Sequence, residues 1–374
     1  MALVTDVVII GGGITGIATA YYLSENGLNA ILLEKDHIAA HSSGKAYGGI
    51  GHLGRAGSPS PNDPIVKLSL NLHESLEKEL DAVISGKIKY EKKSIISLVF
   101  NEKEADKAIN NMDWAKHEFG ASTFWVNLDE AINLEPRINK NALGAVITEG
   151  FKFVNPESLT NAIGEAAKNK GVKFVFEEAV NLKINSDKTF CVFSANNKIE
   201  CSSIVLAMGP WVINAGKWIN TTIPVKPLKG QILRLKSAGN PLDSSIHWGS
   251  DYATSKPDGL IWTGSTEEEV GFDLNTTIDA RNKILKNTVK MLPYLKDSKI
   301  VKHTACLRPV TSDWGVVLGE CPEIDGIYIA SGGGRSGLML GPGIGKVTSD
   351  LISKGSTDVD ISNVLIDRFY KNSV

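Results

Sequence analysis

Several features that would settle the class of this chain at once are missing. There is no run of about eighteen apolar residues, so nothing reads as a membrane-crossing helix. There are four cysteines, Cys191, Cys201, Cys306 and Cys321, none of them in a CxxC pair, and seven histidines. No structural metal site is therefore expected. No basic stretch followed by an apolar core opens the chain, which runs directly into Asp6-Val7-Val8-Ile9-Ile10. The expectation is a cytoplasmic protein with free thiols, a loose peripheral membrane association being left open. The net charge of −2 offers no basic surplus, which argues against nucleic acid as a partner. Arginine is scarce too, seven among 40 Lys and Arg. Lysine carries the surface charge, so an arginine in a glycine-rich apolar stretch marks a need for a planar, permanently charged fork.

What is present suits an ordinary globular enzyme, with 42% hydrophobic and 22% charged residues over 374 positions. Residues 5–10 form an apolar β-branched run ending in glycines, a buried strand. Helical spacing of Ile14, Ile17, Ala18, Tyr21 and Tyr22 follows, stopped by Gly27, and residues 29–33 form a second strand. Helices are expected at about 66–82 and 102–119. Asn155 and Pro156 open another, leading to a strand at 172–176. Short strands alternate through 180–206, and 224–264 is strand-like. A helix at about 277–292, strands at 299–307 and 327–330, and a closing helix at about 342–353 complete the chain. Parallel βαβ signals at both ends flank an antiparallel middle. The expected fold is α/β (α+β mixed): a discontinuous Rossmann-type domain of residues 1–90, 145–225 and 310–374, with an inserted β-rich substrate domain of 91–144 and 226–309.

The strongest motif is Gly11-Gly12-Gly13-Ile14-Thr15-Gly16, in GxGxxG register between strand and helix. Gly11 permits the tight turn, Gly13 lets the backbone approach a pyrophosphate, and Gly16 lets helix and strand pack closely. The helix N-terminus offers free N–H groups to the anion. Glu34, at the end of the second strand, stands where a carboxylate accepts from ribose hydroxyls, with Lys35 beside it. The small, flexible segment Ser42 to Gly51 suits a path beside a pyrophosphate and a flat ring. Its bland alternative is a plain surface loop.

These pieces, taken in order with others, resemble the D-amino acid oxidase superfamily in its glycine oxidase and sarcosine oxidase branch. The others are Val154-Asn155-Pro156, Ile204 through Gly209-Pro210-Trp211, Lys229-Gly230-Gln231, Thr263-Gly264-Ser265-Thr266, Leu307-Arg308-Pro309 and Gly333-Gly334-Arg335-Ser336-Gly337. The resemblance implies FAD as cofactor. Gly11, Gly13, Ile14, Thr15 and Gly16 would hold its pyrophosphate, and Glu34 and Lys35 its ribose. Ser42 and Ser43 would bind phosphate or ribityl oxygens, and Val180 would meet adenine through its backbone. Tyr47, Gly48, Gly49, Gly209, Trp211, Cys306 and the stretch Gly333, Gly334, Arg335, Ser336, Gly337, Leu338 and Met339 would line the flavin. The positive end of the closing helix, starting near Gly341-Pro342, would face the reduced ring.

On the substrate side the resemblance assigns the carboxylate grip to Arg308, helped by Tyr252, with Arg335 also facing the substrate. A bidentate Arg–carboxylate pair fixes orientation, which is the main task when a flavin carries the redox chemistry. No general base stands out, so positioning and electrostatics are expected to suffice. The plainer readings are a structural ion pair of Arg308 with an Asp such as Asp313, and a half-buried strand aromatic for Tyr252. Two departures from the family pattern stand out. Gly332-Gly333-Gly334 replaces the usual Gly-His pair, which puts reaction with oxygen in doubt, and Cys306 precedes Leu307 where glycine is common. In sarcosine oxidases the cysteine at that motif position is joined to the flavin; a non-covalent FAD with a small buried Cys306 is the expected case here. His41 and His52 are weak cofactor candidates, Trp211, Trp248 and Trp262 read as core or wall, and Glu267-Glu268-Glu269 reads as a solvated turn.

The resulting expectation is FAD-dependent oxidation of a small amino acid or secondary amine (glycine, sarcosine, proline or a small D-amino acid) to an imine and then a 2-oxo acid. Oxygen or another acceptor would take the electrons, and homo-oligomerisation is left open. The alternatives are a 2-hydroxy-acid or polyol-phosphate dehydrogenase and a flavin-binding subunit that needs a partner.

Overall fold

In the computed structural model the described residues are 3–51, 60–83, 88, 90–322 and 324–370. His52 lies outside them.

The opening run is the strand Leu3–Ile10, and it sits in the middle of an eight-stranded sheet. It pairs in parallel with Ala30–Leu33 on one side and Lys198–Leu206 on the other. Ile324–Ser331 and Lys173–Val175 extend the parallel core outward, and Val317–Cys321 closes one edge antiparallel. Successive side chains of a strand face opposite ways. Val7 and Ile9 enter one apolar core with the helix Ile14–Glu25 and the closing helix, while Val8 and Ile10 enter another with the helix Val212–Ile219. Burial on both faces explains why the run reads as continuously apolar.

The closing helix begins at Gly337, runs to Lys354 and contains Pro342, whereas the sequence suggests a start near Gly341-Pro342. Proline inside a helix removes one backbone donor and crowds the preceding turn. Neighbours from the helix Asp63–Val83 take up the disturbed groups. Ser69 Oγ donates to Leu340 O at 3.2 Å and accepts from Gly343 N–H at 3.0 Å, and His73 Nε2 reaches Met339 O at 3.0 Å. The glycines of this helix serve contact as well. A Cβ on Gly345 would lie 2.6 Å from the backbone nitrogen of Thr19, so the two helices meet backbone to backbone there, and one on Gly341 would lie 2.6 Å from the Ile14 side chain.

The second sheet has nine strands and is antiparallel except where Ser245–Trp248 runs parallel to Glu91–Val99. Its longest ladder joins Lys226–Lys236 to Lys299–Val310 and sets Gly230 opposite Cys306 and Leu228 opposite Arg308. The strand Gly144–Phe153, grouped by its position in the sequence with the first domain, pairs here with Glu91–Val99, Thr123–Asn127 and Gly49–Ile50. Mixed parallel and antiparallel sheets are the architecture the patterning implies. Among the described residues no helix is long and apolar enough to cross a membrane, and no cluster of His, Cys, Asp and Glu is arranged to hold a metal.

Candidate active site

A cavity of about 1720 Å³ opens at the carboxyl ends of the parallel strands, where Gly11, Glu34, Ala207 and Ser331 line it. That is where open α/β sheets take their ligands. The second sheet supplies the facing wall through Gly230, Tyr252, Cys306 and Arg308.

The glycine turn is tightly specified. Gly11 has φ +117°, and any side chain on it would collide with the carbonyl of Ala207. One on Gly16 would strike the carbonyl of Gly11. Gly12 N–H donates to Glu34 Oε2 at 2.6 Å and Asp36 N–H to Oε1 at 2.8 Å, which fixes the carboxylate beside the turn. A carboxylate has about four acceptor positions, so Glu34 keeps capacity for hydroxyl donors. Ser43 Oγ accepts from Ile14 N–H at 2.9 Å at the mouth of the first helix. Ser42 Oγ donates to the carbonyl of Leu307 and so ties the 42–51 segment to the strand that bears Arg308. Glycine cradle, helix N-terminus and fixed carboxylate together present what a dinucleotide pyrophosphate and ribose need. Along the same wall the Lys35 ammonium lies 5.0 Å from the Trp211 ring, which packs against His41 at 4.5 Å.

Behind the 42–51 segment is a buried polar cluster with no warning in the sequence. Tyr47 Oη lies 2.6 Å from Ser245 Oγ and 2.9 Å from His247 Nε2, and those two are 3.0 Å apart. Burial pushes the His247 imidazole down to about 3, so it is neutral, and raises the Tyr47 and Tyr252 hydroxyls well above their usual range. The Tyr47 ring packs on Tyr252 at 4.0 Å. Lys256 stands close by, its ammonium 5.3 Å from the Tyr47 ring, 5.2 Å from Phe153 and 5.7 Å from Trp262. It has no hydrogen-bond partner among the described residues. Burial first, and then the charge of Lys93, pull it down to about 7.

On the same facing wall as Tyr252, Arg308 is 13% exposed. Its Nη1 donates to Thr266 O at 3.0 Å and its Nη2 to Ser265 Oγ at 2.8 Å. Gly230 is required behind it, because any side chain there would meet the guanidinium. Arg335, 42% exposed, lies with its guanidinium 5.0 Å from Trp314 and binds Glu267 through Nε and through Nη2, the latter at 2.6 Å. Glu267 Oε1 is also 3.7 Å from Arg308 Nη1.

Nearly every residue singled out from the sequence borders this one cavity. The exceptions are Gly16 and Gly48, which serve packing, and Val180, which is 54% exposed while Glu178 and Ala179 form the lining. Asp313 pairs with Arg368, at 2.7 Å, and not with Arg308. The 267–269 run, in which Glu267 and Glu269 are exposed, is more than a solvated turn. Glu268 contacts the buried ammonium of Lys229 at 3.3 Å and the amide of Gln231 at 2.8 Å, and Glu267 serves the two arginines. The alternation of an extended segment would have found them, since it sends neighbouring carboxylates to opposite faces. All four cysteines are free thiols, and Cys306 borders the cavity.

Known proteins share both sequence and shape with this chain. It is 26% identical over 366 residues to the glycine oxidase of Geobacillus kaustophilus, which covers 97% of each chain. The crystal structure of glycine oxidase from Geobacillus kaustophilus superposes with a TM-score of 0.92, at 24% identity, over 98% of this chain and 99% of that one. The L-proline dehydrogenase structure from P. horikoshii does so with a TM-score of 0.89 at 23% identity, over 99% of both chains. Residues 6–351 match the family model described as FAD dependent oxidoreductase, and the chain belongs to that family.

Proposed function

We propose that this FAD-dependent oxidoreductase oxidises a small amino acid or secondary amine, such as glycine, sarcosine, proline or a small D-amino acid. The carbon next to nitrogen loses its hydride, and the resulting imine is hydrolysed to a 2-oxo acid and an amine. FAD, when bound, supplies the hydride acceptor and later passes the electrons to oxygen or another acceptor. The observation that carries this reading is that a guarded, largely buried arginine, Arg308, borders the same cavity as the glycine turn at Gly11–Gly16.

The protein's own residues have separable tasks in this reading. The amides at the first helix, with Ser43, hold the pyrophosphate, and Glu34 holds the ribose. Arg308 takes the substrate carboxylate and so orients the Cα–H bond, while Tyr252 walls the same space. No side chain is assigned as general base: the cationic fork and exclusion of water favour loss of the ammonium proton. Cys306, partly exposed at the cavity wall, stays a free thiol in this reading and FAD is held non-covalently. Acid precipitation of the yellow protein should therefore leave all the colour in the supernatant. Colour retained in the pellet, and lost in Cys306→Ser, would establish a covalent link instead.

The reading is tested by incubating the protein with each candidate amine and an electron acceptor and trapping the 2-oxo acid as a hydrazone. Glyoxylate from glycine, or the matching oxo acid from another amine, is the expected product. Turnover confined to 2-hydroxy acids or polyol phosphates would replace the amine reading.

A further inference from the structure

The segment after the strand Ile261–Gly264 pairs with Lys226–Lys236, Glu268 and Lys229 exchanging backbone hydrogen bonds at 3.0 Å in both directions. Glu268 therefore turns inward to Lys229, and Glu267 turns to the cavity. There the two oxygens of Glu267 engage Arg335 through Nε and Nη2, and one of them stands 3.7 Å from Arg308. Two guanidinium groups share one carboxylate that belongs to the protein. The Nε–Nη2 edge of Arg335 is thereby taken, and a second carboxylate reaching its remaining Nη1 and Nη2 donors would meet the negative charge of Glu267.

We infer that Glu267 determines which substrates this site accepts: it withdraws Arg335 from carboxylate binding and leaves Arg308 as the anchor, so the site takes amines with one carboxylate and turns away those with two. The inference rests on the amino-acid reading above. The sum of these three side chains is one positive charge, which matches one substrate carboxylate. A second carboxylate on the ligand would have to lie near that of Glu267, and like charges at that range repel. Arg335 acts in this account by neutralising Glu267, so it is a positioning and charge-balancing residue.

The test uses non-reacting ligands, acetate and malonate, titrated into the FAD-loaded protein and followed by the visible spectrum or by calorimetry. In Glu267→Gln the affinity for malonate relative to acetate should rise about tenfold, as expected for the loss of one close like charge. Glu267→Asp, which keeps the charge, should retain the original ratio. Arg335→Gln exposes Glu267 and should weaken acetate about tenfold, and the double variant Arg335→Gln/Glu267→Gln should recover it. A double variant that binds acetate as weakly as Arg335→Gln would show that Arg335 itself grips the ligand and would overturn the inference. So would an unchanged malonate-to-acetate ratio in Glu267→Gln. Arg308→Met separates the two levels. If acetate binds that variant as well as the original protein, the amino-acid reading itself fails. If binding is lost there while the Glu267 variants change nothing, only the present inference falls.

Discussion

Arg308 is held by Thr266 O and Ser265 Oγ against a glycine that leaves it no room to retreat. A guanidinium placed so firmly loses little on meeting a carboxylate. Arg308→Ala should weaken substrate binding by about 2 to 5 kcal/mol, as for a lost buried charge contact. Stopped-flow measurement of flavin reduction against substrate concentration checks this, and an unchanged apparent affinity would remove Arg308 from the role. Lys256 yields a prediction about stability. Its ammonium titrates near 10.5 when unfolded and is drawn down to about 7 in the fold. Between those values the unfolded chain holds a proton that the folded chain has released, so raising the pH favours folding. The gain is on the order of 1 kcal/mol per pH unit. Below 7 the whole burial penalty is present. Urea unfolding of Lys256→Met from pH 7 to 10 should lack this slope and show a more stable protein at pH 7; an unaltered slope would mean that Lys256 does not titrate in that window. Arg308 and Arg335 stand in short ordered motifs of the sequence and Tyr252 at a matching spacing before Gly264, and all three border the cavity. Glu267 and Lys256 were not legible in the sequence, because their surroundings are assembled from distant positions. Tyr47 and His247, for example, meet across 200 residues.

The closing helix gives the clearest example at the level of elements. Glycine and proline in Gly341-Pro342-Gly343-Ile344-Gly345 read as a boundary, yet the helix passes through them from Gly337. The local rule is sound for an isolated helix. Here Ser69 and His73 supply hydrogen bonds to the backbone on either side of Pro342, and Gly345 admits the backbone of the first helix. Ser69→Ala leaves the Leu340 carbonyl and the Gly343 N–H without that hydroxyl in a buried place. The expected loss is about 1 to 3 kcal/mol, read as a lower midpoint in thermal or urea unfolding. A midpoint unchanged by this substitution would mean that the backbone around Pro342 is satisfied without Ser69. The first strand, first helix and second strand were legible to within two residues at each end, because hydrophobic period and glycine placement agree with the tertiary packing.

For the molecule as a whole, parallel signals at the two ends and antiparallel signals between them were enough to give a mixed fold with two sheets. Where one sheet hands over to the other was less legible. The strand Gly144–Phe153 lies directly before Asn155 and Pro156, yet it pairs with strands of the second sheet. Strand partners are chosen by long-range pairing, which local pattern does not encode. The cavity exists because the two sheets face each other across the carboxyl ends of the parallel strands. One wall offers a dinucleotide cradle and the other a guanidinium fork. An anaerobic visible spectrum tests that juxtaposition most directly. Glycine, sarcosine, D-alanine, L-proline and D-proline are added in turn to the purified yellow protein. Bleaching of the flavin absorbance by at least one of these amines is the predicted result. A yellow protein that none of them bleaches, but that a 2-hydroxy acid or a polyol phosphate does, would contradict it.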